Sequence, residues 1–276
     1  MKHLYGYECQ NFVYNHNLFE NLDIDGIPPQ FHDFYEIIFL KRGDISYSIE
    51  DKIYTVHENG IIFTRPGMIH RINFLNKDIY DRHDILFSEK IIFPEVLKMI
   101  PANMDVLHIK KYTYIDALFS GMDFYCSKFE GEALENILTH LIDEILYNIV
   151  ISKEVTDSPA EDVFSVNPMV TKAVQFIEEN LNKELSLEII CNELFVTKSY
   201  LHKLFNKYLK MSPGKYITSK RLLLAQKELR EGSNPTEIFG QLGYGEYSTF
   251  YRSYKDYFGY PPSEEKERII RRRIDF

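Results

Sequence analysis

The chain has 276 residues, 45% hydrophobic and 26% charged, with a formal net charge of −9 at pH 7. That length allows one large domain or two ordinary ones, with enough apolar side chains for cores that need no staples. Three scattered cysteines, Cys9, Cys126 and Cys191, form no CxxC pair, which argues against a disulfide framework or a zinc knuckle. No apolar run is long enough to span a bilayer and the N-terminus holds no secretory core, so a cytoplasmic protein without a membrane partner is expected.

Charge is uneven along the chain. From Ser165 onward 18 Lys and Arg face 14 Asp and Glu, a net of +4, whereas the preceding part has 14 against 27, a net of −13. An acidic front and a basic back fit a sensor joined to a nucleic-acid binder.

The front, to about Asp84, alternates with period two. FYEIIFLKRG, ISYSIEDKIYTV and GIIFTRPG read as antiparallel strands broken by Gly, Asp and Asn, with a hairpin turn at EDK. Gln30, His32 and Glu36 share strand parity and are expected on one face; His70 follows the Pro66-Gly67 turn. Such groups can line a polar pocket, hold a divalent transition metal, or bond to one another as structural groups. The expected effector set is Gln30, His32, Glu36, Arg65 and His70, with Arg65 on the opposite parity from its nearest candidate; no metal and no cofactor is assigned. These two clusters resemble the motifs of the cupin fold. The resemblance implies a barrel whose metal-binding members would place ligands at these positions, and Gln30 stands where the first His belongs.

In the middle, a short helix is expected from Pro94 and another in TYIDALFSGMDFYCSKF. GEALENILTHLIDEILYNIVIS carries Leu134, Leu138, Leu141, Ile145 and Ile149 at helical spacing. So wide a stripe suits packing on the barrel or pairing with a second copy, and a homodimer through the helix over 132–151 is expected. Residues 152–167 are polar, acidic and interrupted by Pro, and read as a linker.

The back is a series of capped helices. Asn167-Pro168, Ser186, Thr197, Ser212-Pro213 and Asn234-Pro235 are N-cap signals. A short helix, a turn and a polar helix occur twice, joined by a long helix. In the first polar helix Tyr200, Leu201, Leu204 and Phe205 are expected inward, leaving Lys198, Ser199, His202, Lys203, Asn206 and Lys207 for DNA. In the second, Ser248, Thr249, Arg252 and Lys255 are the expected DNA contacts. Lys, Arg, His and hydroxyl side chains on an exposed helix suit base edges and phosphates in a major groove.

The pieces SLEIICNEL, SYLHKLFNKYLKMSPGKYI, RLLLAQKELREGS and FYRSYKDYFGYPPSE resemble the DNA-binding domain of the AraC/XylS family of bacterial transcription regulators. The resemblance implies base reading by Ser199, His202 and Lys203 in the first unit, and by Ser248, Thr249 and Arg252 in the second. It departs at Phe239, where a small residue is usual, and at Glu265-Lys266, where Tyr-Arg is usual. The expected architecture is an α+β multidomain chain. An N-terminal antiparallel cupin-like β-barrel with following helices occupies 1–151, a linker 152–167, and a C-terminal all-α domain with two helix-turn-helix units 168–276. The expected function is a DNA-binding transcription regulator, an activator that is not an enzyme, controlled by a small polar effector such as a sugar. Double-stranded DNA, a second copy and RNA polymerase are its expected partners. An effector-free dimeric DNA binder and a metal-dependent cupin enzyme fused to a DNA-binding domain are the alternatives.

Overall fold

The computed structural model describes residues 2–109, 114–155, 164–165 and 167–267. Strands β1 (Lys2–Glu8), β2 (Phe12–Glu20), β4 (Tyr35–Arg42), β7 (Gly60–Thr64), β9 (Ile79–Phe87) and β10 (Val106–His108) form one antiparallel sheet in the order β1-β2-β9-β4-β7-β10. Strands β3 (Gly26–Gln30), β5 (Ile45–Ile49), β6 (Lys52–Val56), β8 (His70–Phe74) and β11 (Phe164–Ser165) form the other, in the order β11-β6-β5-β8-β3. The predicted linker is therefore in part a strand, paired through Phe164 with Ile53.

Period-two alternation sorts each strand of the first sheet between two cores. Ile38, Leu40 and Ile62 face Ile45, Tyr47 and Ile72 of the second sheet inside the barrel. Ile37, Phe39, Ile61 and Phe63 face outward and are covered by α1 (Pro94–Met99), α2 (Tyr114–Cys126) and α3 (Gly131–Val155). Helix α3 passes the predicted boundary at 151. Its apolar stripe (Leu134, Leu138, Ile142, Ile145, Ile149) is buried within the chain, because α1 and α2 pack against it and it joins the core on the outer face of the sheet. The stripe is thus spent inside one chain, which removes the reason for assigning it to a second copy.

The second half is helical: α4 (Pro168–Glu179), α5 (Leu187–Glu193), α6 (Lys198–Tyr208), α7 (Pro213–Arg230), α8 (Pro235–Gln241) and α9 (Tyr247–Phe258). Each predicted cap forms. Asn167, Ser186, Thr197, Ser212 and Asn234 accept from the N–H groups of Met169, Ile189, Tyr200, Lys215 and Thr236. Arg221 of α7 joins the two helical units by donating to the carbonyls of Leu181, Lys183 and Gly243.

The barrel and helices meet through a buried ion pair. Lys220 Nζ donates to Glu50 Oε1, Glu178 Oε1 and the Gly67 carbonyl, each at 2.7 Å, so all three ammonium protons are used. Glu50, in the EDK turn at φ 47°, also accepts from the Tyr216 hydroxyl at 2.8 Å and the Ile69 N–H at 2.8 Å. Ile69 itself belongs to the core of the first helical unit. Burial opposes the charge on Lys220, but Glu50 and Glu178 outweigh it and raise its pKa above the ordinary 10.5. Its contribution to stability is therefore complete below pH 10.5 and lost as pH rises through the raised value.

Lys220→Met leaves Glu50 buried with only its Tyr216 and Ile69 donors. A loss of about 3 kcal/mol is expected. In a thermal melt this reads as a fall of roughly 6–12 °C for a chain of this size. The double variant with Glu50→Gln recovers part of the loss, because the uncompensated charge is gone.

Candidate nucleic-acid interface and effector chamber

Two helices carry the residues expected to meet DNA. On α6, Lys198, Ser199, Lys203, Asn206 and Lys207 are exposed and His202 is half-buried, while Leu201, Leu204 and Phe205 pack inward. Tyr200, expected inward, is 45% exposed: it sits one residue before Leu201, off the stripe that Leu201, Leu204 and Phe205 define. On α9, Ser248, Thr249, Arg252 and Lys255 are exposed above Phe250 and Tyr254. Arg252 Nε bonds the Ser248 carbonyl at 3.3 Å, which lays its guanidinium along the helix. Phe239 packs its ring against Tyr247 with centroids 5.8 Å apart, so the larger side chain is absorbed inside the second unit. Lys198 pairs with Glu188 at 3.4 Å across the exposed surface of the first unit.

Phe195 lies in the turn before α6 with φ 56° and is 94% exposed. Glu265 is buried, accepts from Arg230 Nε at 2.7 Å and from the Tyr254 hydroxyl, and so ties the end of α7 to α9. The departure from the family pattern at this position thus has a structural use. The terminal Arg271-Arg272-Arg273 run lies outside the described residues.

Inside the barrel, His32, Glu36 and His70 converge. His32 Nε2 is 3.5 Å and His70 Nε2 is 3.2 Å from Glu36 Oε2. Shared strand parity is not the cause. Residues 31–34 form the turn between sheets after β3, and Glu36 lies on β4 of the opposite sheet. Gln30 faces His70 across the β3–β8 ladder. Arg65 does not enter the chamber. Thr64 points in, so Arg65 points out, where it donates to the carbonyls of Pro101 at 2.5 Å and Met104 at 3.2 Å and pairs with Asp105 at 3.3 Å.

The barrel interior holds further polar groups that the sequence reading did not single out. Tyr47 and Thr64 hydroxyls bond at 2.6 Å. Arg82 and Asp84 are fully buried on β9 with Nη2 and Oδ2 3.6 Å apart. Arg82 Nη1 donates to the Tyr80 hydroxyl at 3.1 Å, whereas its Nε and Nη2 make no hydrogen bond among the described residues. These two nitrogens form one edge of the guanidinium fork, the edge that meets a carboxylate or a pair of hydroxyls. The signal was weak because Asp81, Arg82, His83 and Asp84 interrupt the apolar pattern of a strand buried on both faces.

The opposite face of β9 carries a second cluster. His16 bonds Asp123 at 2.7 Å and Asp81 at 2.8 Å, and Tyr14 donates to Asp123 at 2.6 Å and meets His83 Nδ1 at 2.8 Å. Burial opposes the His16 charge, but its bonds to the two carboxylates raise its pKa. Burial, then the charge of His16, push His83 well down. The pair pins α2 to the sheet.

Two loops connect the chamber to the helices. Phe31, beside His32, packs its ring at a tilt against Tyr257 of α9 with centroids 4.9 Å apart. The Arg230 guanidinium sits 4.2 Å from the Phe34 ring centroid and 4.0 Å from Asp33. The Gly67 N–H donates to the His32 carbonyl, and the Gly67 carbonyl accepts from Lys220.

The fold is a β-barrel joined to a helical half with two helix-turn-helix units. A family model described as AraC-like ligand binding domain matches residues 19–95, and one described as helix-turn-helix domain matches residues 190–268. The chain belongs to the AraC family of transcription regulators. The HTH-type transcriptional regulator GbdR of Pseudomonas aeruginosa is 30% identical over 111 residues, which span 40% of this chain but only 30% of GbdR. The HTH-type transcriptional activator RhaR of Mannheimia succiniciproducens is 23% identical over 248 residues, 87% of each chain. Among solved structures, an apo ToxT variant from Vibrio cholerae covers 94% of this chain and 98% of its own at 14% identity, with a TM-score of 0.43.

Burial pushes the Asp33 carboxyl up to about 7 against the pull of Arg230 and Lys227. A raised carboxyl favours the folded state at low pH, and that contribution is lost as pH rises from about 4 through about 7. Asp33→Asn is therefore expected to flatten the pH dependence of the melting temperature between pH 5 and 8, and to raise the melting temperature at pH 8. Melts of both proteins across that range check it.

Proposed function

We propose that the chain is an effector-controlled regulator in which α6 and α9 enter successive major grooves about 34 Å apart on one side of the duplex. The division into a sensing part over 1–151, a linker over 152–167 and a DNA-binding part over 168–276 belongs to this reading. Ser199, His202, Lys203, Ser248, Thr249 and Arg252 read bases; Lys198, Asn206, Lys207 and Lys255 hold phosphates. A small polar effector enters the barrel, where His32, Glu36 and His70 meet one part of it and the Arg82 fork another. Gln30 flanks this set through its pairing with His70. A sugar suits the mix of carboxylate acceptors and guanidinium donors.

One observation carries the coupling. His32 and His70 stand on the two segments, 31–34 and 67–70, that also supply Phe31, Asp33, Phe34, Gly67 and Ile69 to the helical half. A ligand that moves either imidazole moves the barrel's hold on α7 and α9. The protein acts in the cytoplasm, as a homodimer on adjacent half-sites, with RNA polymerase as the downstream partner; like the transcriptional activator RhaR, it activates. Since the apolar stripe of α3 is covered, pairing through 132–151 uses the exposed side of that helix, around His140, Tyr147 and Ile151.

The test is DNA binding by fluorescence anisotropy, on a duplex selected from a random library, across a salt series. Lys203→Ala and Arg252→Ala are each expected to lower affinity for the selected duplex by about 1–3 kcal/mol, and Lys207→Ala to weaken all sequences alike while reducing the salt slope by about one. Equal affinity for selected and random duplexes at every salt concentration rejects sequence-specific regulation. An effector found in a metabolite panel raises the melting temperature by mass action, and Arg82→Lys reduces that rise.

A further inference from the structure

The two helix-turn-helix units close their first helix in the same way. Helices α5 and α8 have Leu194 and Leu242 at the C-cap, and the next residue is left-handed, with φ 56° at Phe195 and 73° at Gly243. The same bond seals each turn. The Val196 N–H donates to the Cys191 carbonyl at 3.0 Å, and the Tyr244 N–H to the Phe239 carbonyl at 3.1 Å. Glycine is the usual occupant of the left-handed position, because a β-carbon there crowds the following carbonyl. In the second unit packing requires it too, since a β-carbon on Gly243 would lie 2.4 Å from the Arg221 guanidinium. The first unit carries phenylalanine instead.

Burial does not repay that choice. Leu194 and Val196 on either side pack against the core of the first unit, while Phe195 is 94% exposed. The next most exposed large apolar side chain among the described residues, Phe93, is 62% exposed. Single exposed apolar residues are ordinary on a protein surface. An exposed ring on a backbone that also disfavours a side chain carries two penalties at once, and strain of this kind gathers at functional positions. The other non-glycine residues with positive φ among the described residues are Asn21, Glu50, Asn59 and Lys210, none of them apolar. Asn tolerates the conformation, and Glu50 is spent on its buried bond to Lys220.

The position of the ring limits what it can meet. Phe195 stands two residues before the N-cap Thr197, so its Cα lies within about 8 Å of the start of α6. In a helix-turn-helix the N-terminal end of the second helix is the end that meets base edges. Helix α6 has no acidic side chain to repel phosphates, and Lys198 and Ser199 of its first turn are exposed. A phenyl ring has no hydrogen bond to offer, and the apolar group that a major groove presents is the thymine methyl. We infer that Phe195 packs on the 5-methyl group of a thymine at the edge of the bases met by α6, and so adds a methyl preference to the hydrogen bonds of Ser199, His202 and Lys203. The inference rests on the reading of α6 as a DNA-binding helix. Gly243 gives the second unit no counterpart, so the preference belongs to one half of the bound site.

The experiment uses the full-length protein. Duplexes are selected from a random library with the wild type and with Phe195→Gly, and affinities are read by fluorescence anisotropy. Deoxyuridine then replaces each thymine of the wild-type duplex in turn, which removes the methyl and keeps the pairing. One thymine beside the bases read by α6 is expected to matter, its replacement lowering wild-type affinity about three- to fivefold. Phe195→Gly binds the thymine duplex more weakly by the same factor and does not respond to the replacement. Phe195→Asn, which also tolerates the left-handed backbone, behaves alike. The melting temperature of Phe195→Gly stays level or rises, because the crowded β-carbon is gone. A fall in that temperature assigns the ring to the fold and overturns the inference. So does a wild type indifferent to every thymine methyl, or a Phe195→Gly variant that responds to the same methyl. Equal affinity of wild type and Phe195→Gly, the result that a protein partner at this ring would give, overturns it as well. In those cases Lys203→Ala still weakens binding if α6 reads DNA, so the two readings are judged separately. A wild type with no preference for selected over random duplexes ends both.

Discussion

A single ammonium group, Lys220, joins the two halves of this molecule. Its three protons are divided among a carboxylate of the barrel, a carboxylate of α4 and a backbone carbonyl of the barrel. Taking such charges out of water is costly, and the cost is offset only while every partner stays in place. The pair is therefore less a source of stability than a device with one satisfied arrangement. A small displacement of the EDK turn or of the Gly67 turn breaks several bonds together, which is the behaviour required of a switchable interface.

The chamber and the interface share a backbone. Along Phe31–Phe34 the side chains alternate in destination: Phe31 to α9, His32 to Glu36, Asp33 and Phe34 to Arg230. Along 67–70, Gly67 and Ile69 meet the helical half while His70 meets Glu36. No residue in either segment is more than three positions from a chamber histidine or more than one from a residue that meets the helices. Coupling over so short a path needs only a change in the geometry of two turns.

The two helix-turn-helix units are held differently. The first is gripped near Glu50 and Ile69 through Lys220 and Tyr216, and the second through Arg230, which meets Asp33 and Phe34, and Tyr257, which packs on Phe31. Arg221 links them at the base. Loosening one grip alone would change the angle of α6 against α9.

Local rules made much of the chain legible. Five N-caps, the strand alternation and the exposed faces of α6 and α9 depend on interactions within a few residues, and they stand as read apart from Tyr200 and from the single strand expected to carry Gln30, His32 and Glu36. The likeness to known regulators rested on the same short-range pattern of helices and turns. What escaped depends on partners far apart in sequence. Arg65 turned away from the chamber because its strand parity sends it outward to residues 101–105, while Arg82 and Asp84 were hidden by a charged strand whose two faces are both covered. The covering of α3 by α2, and the pairing of Glu50 with Lys220 across 170 positions, carry no local signature. Sequence by itself determined the capped helices, the central strands, the family and the exposed faces of α6 and α9. Tertiary structure alone decided which buried charges meet, because the free energy of a buried charge is set by its partner and not by its neighbours in the chain.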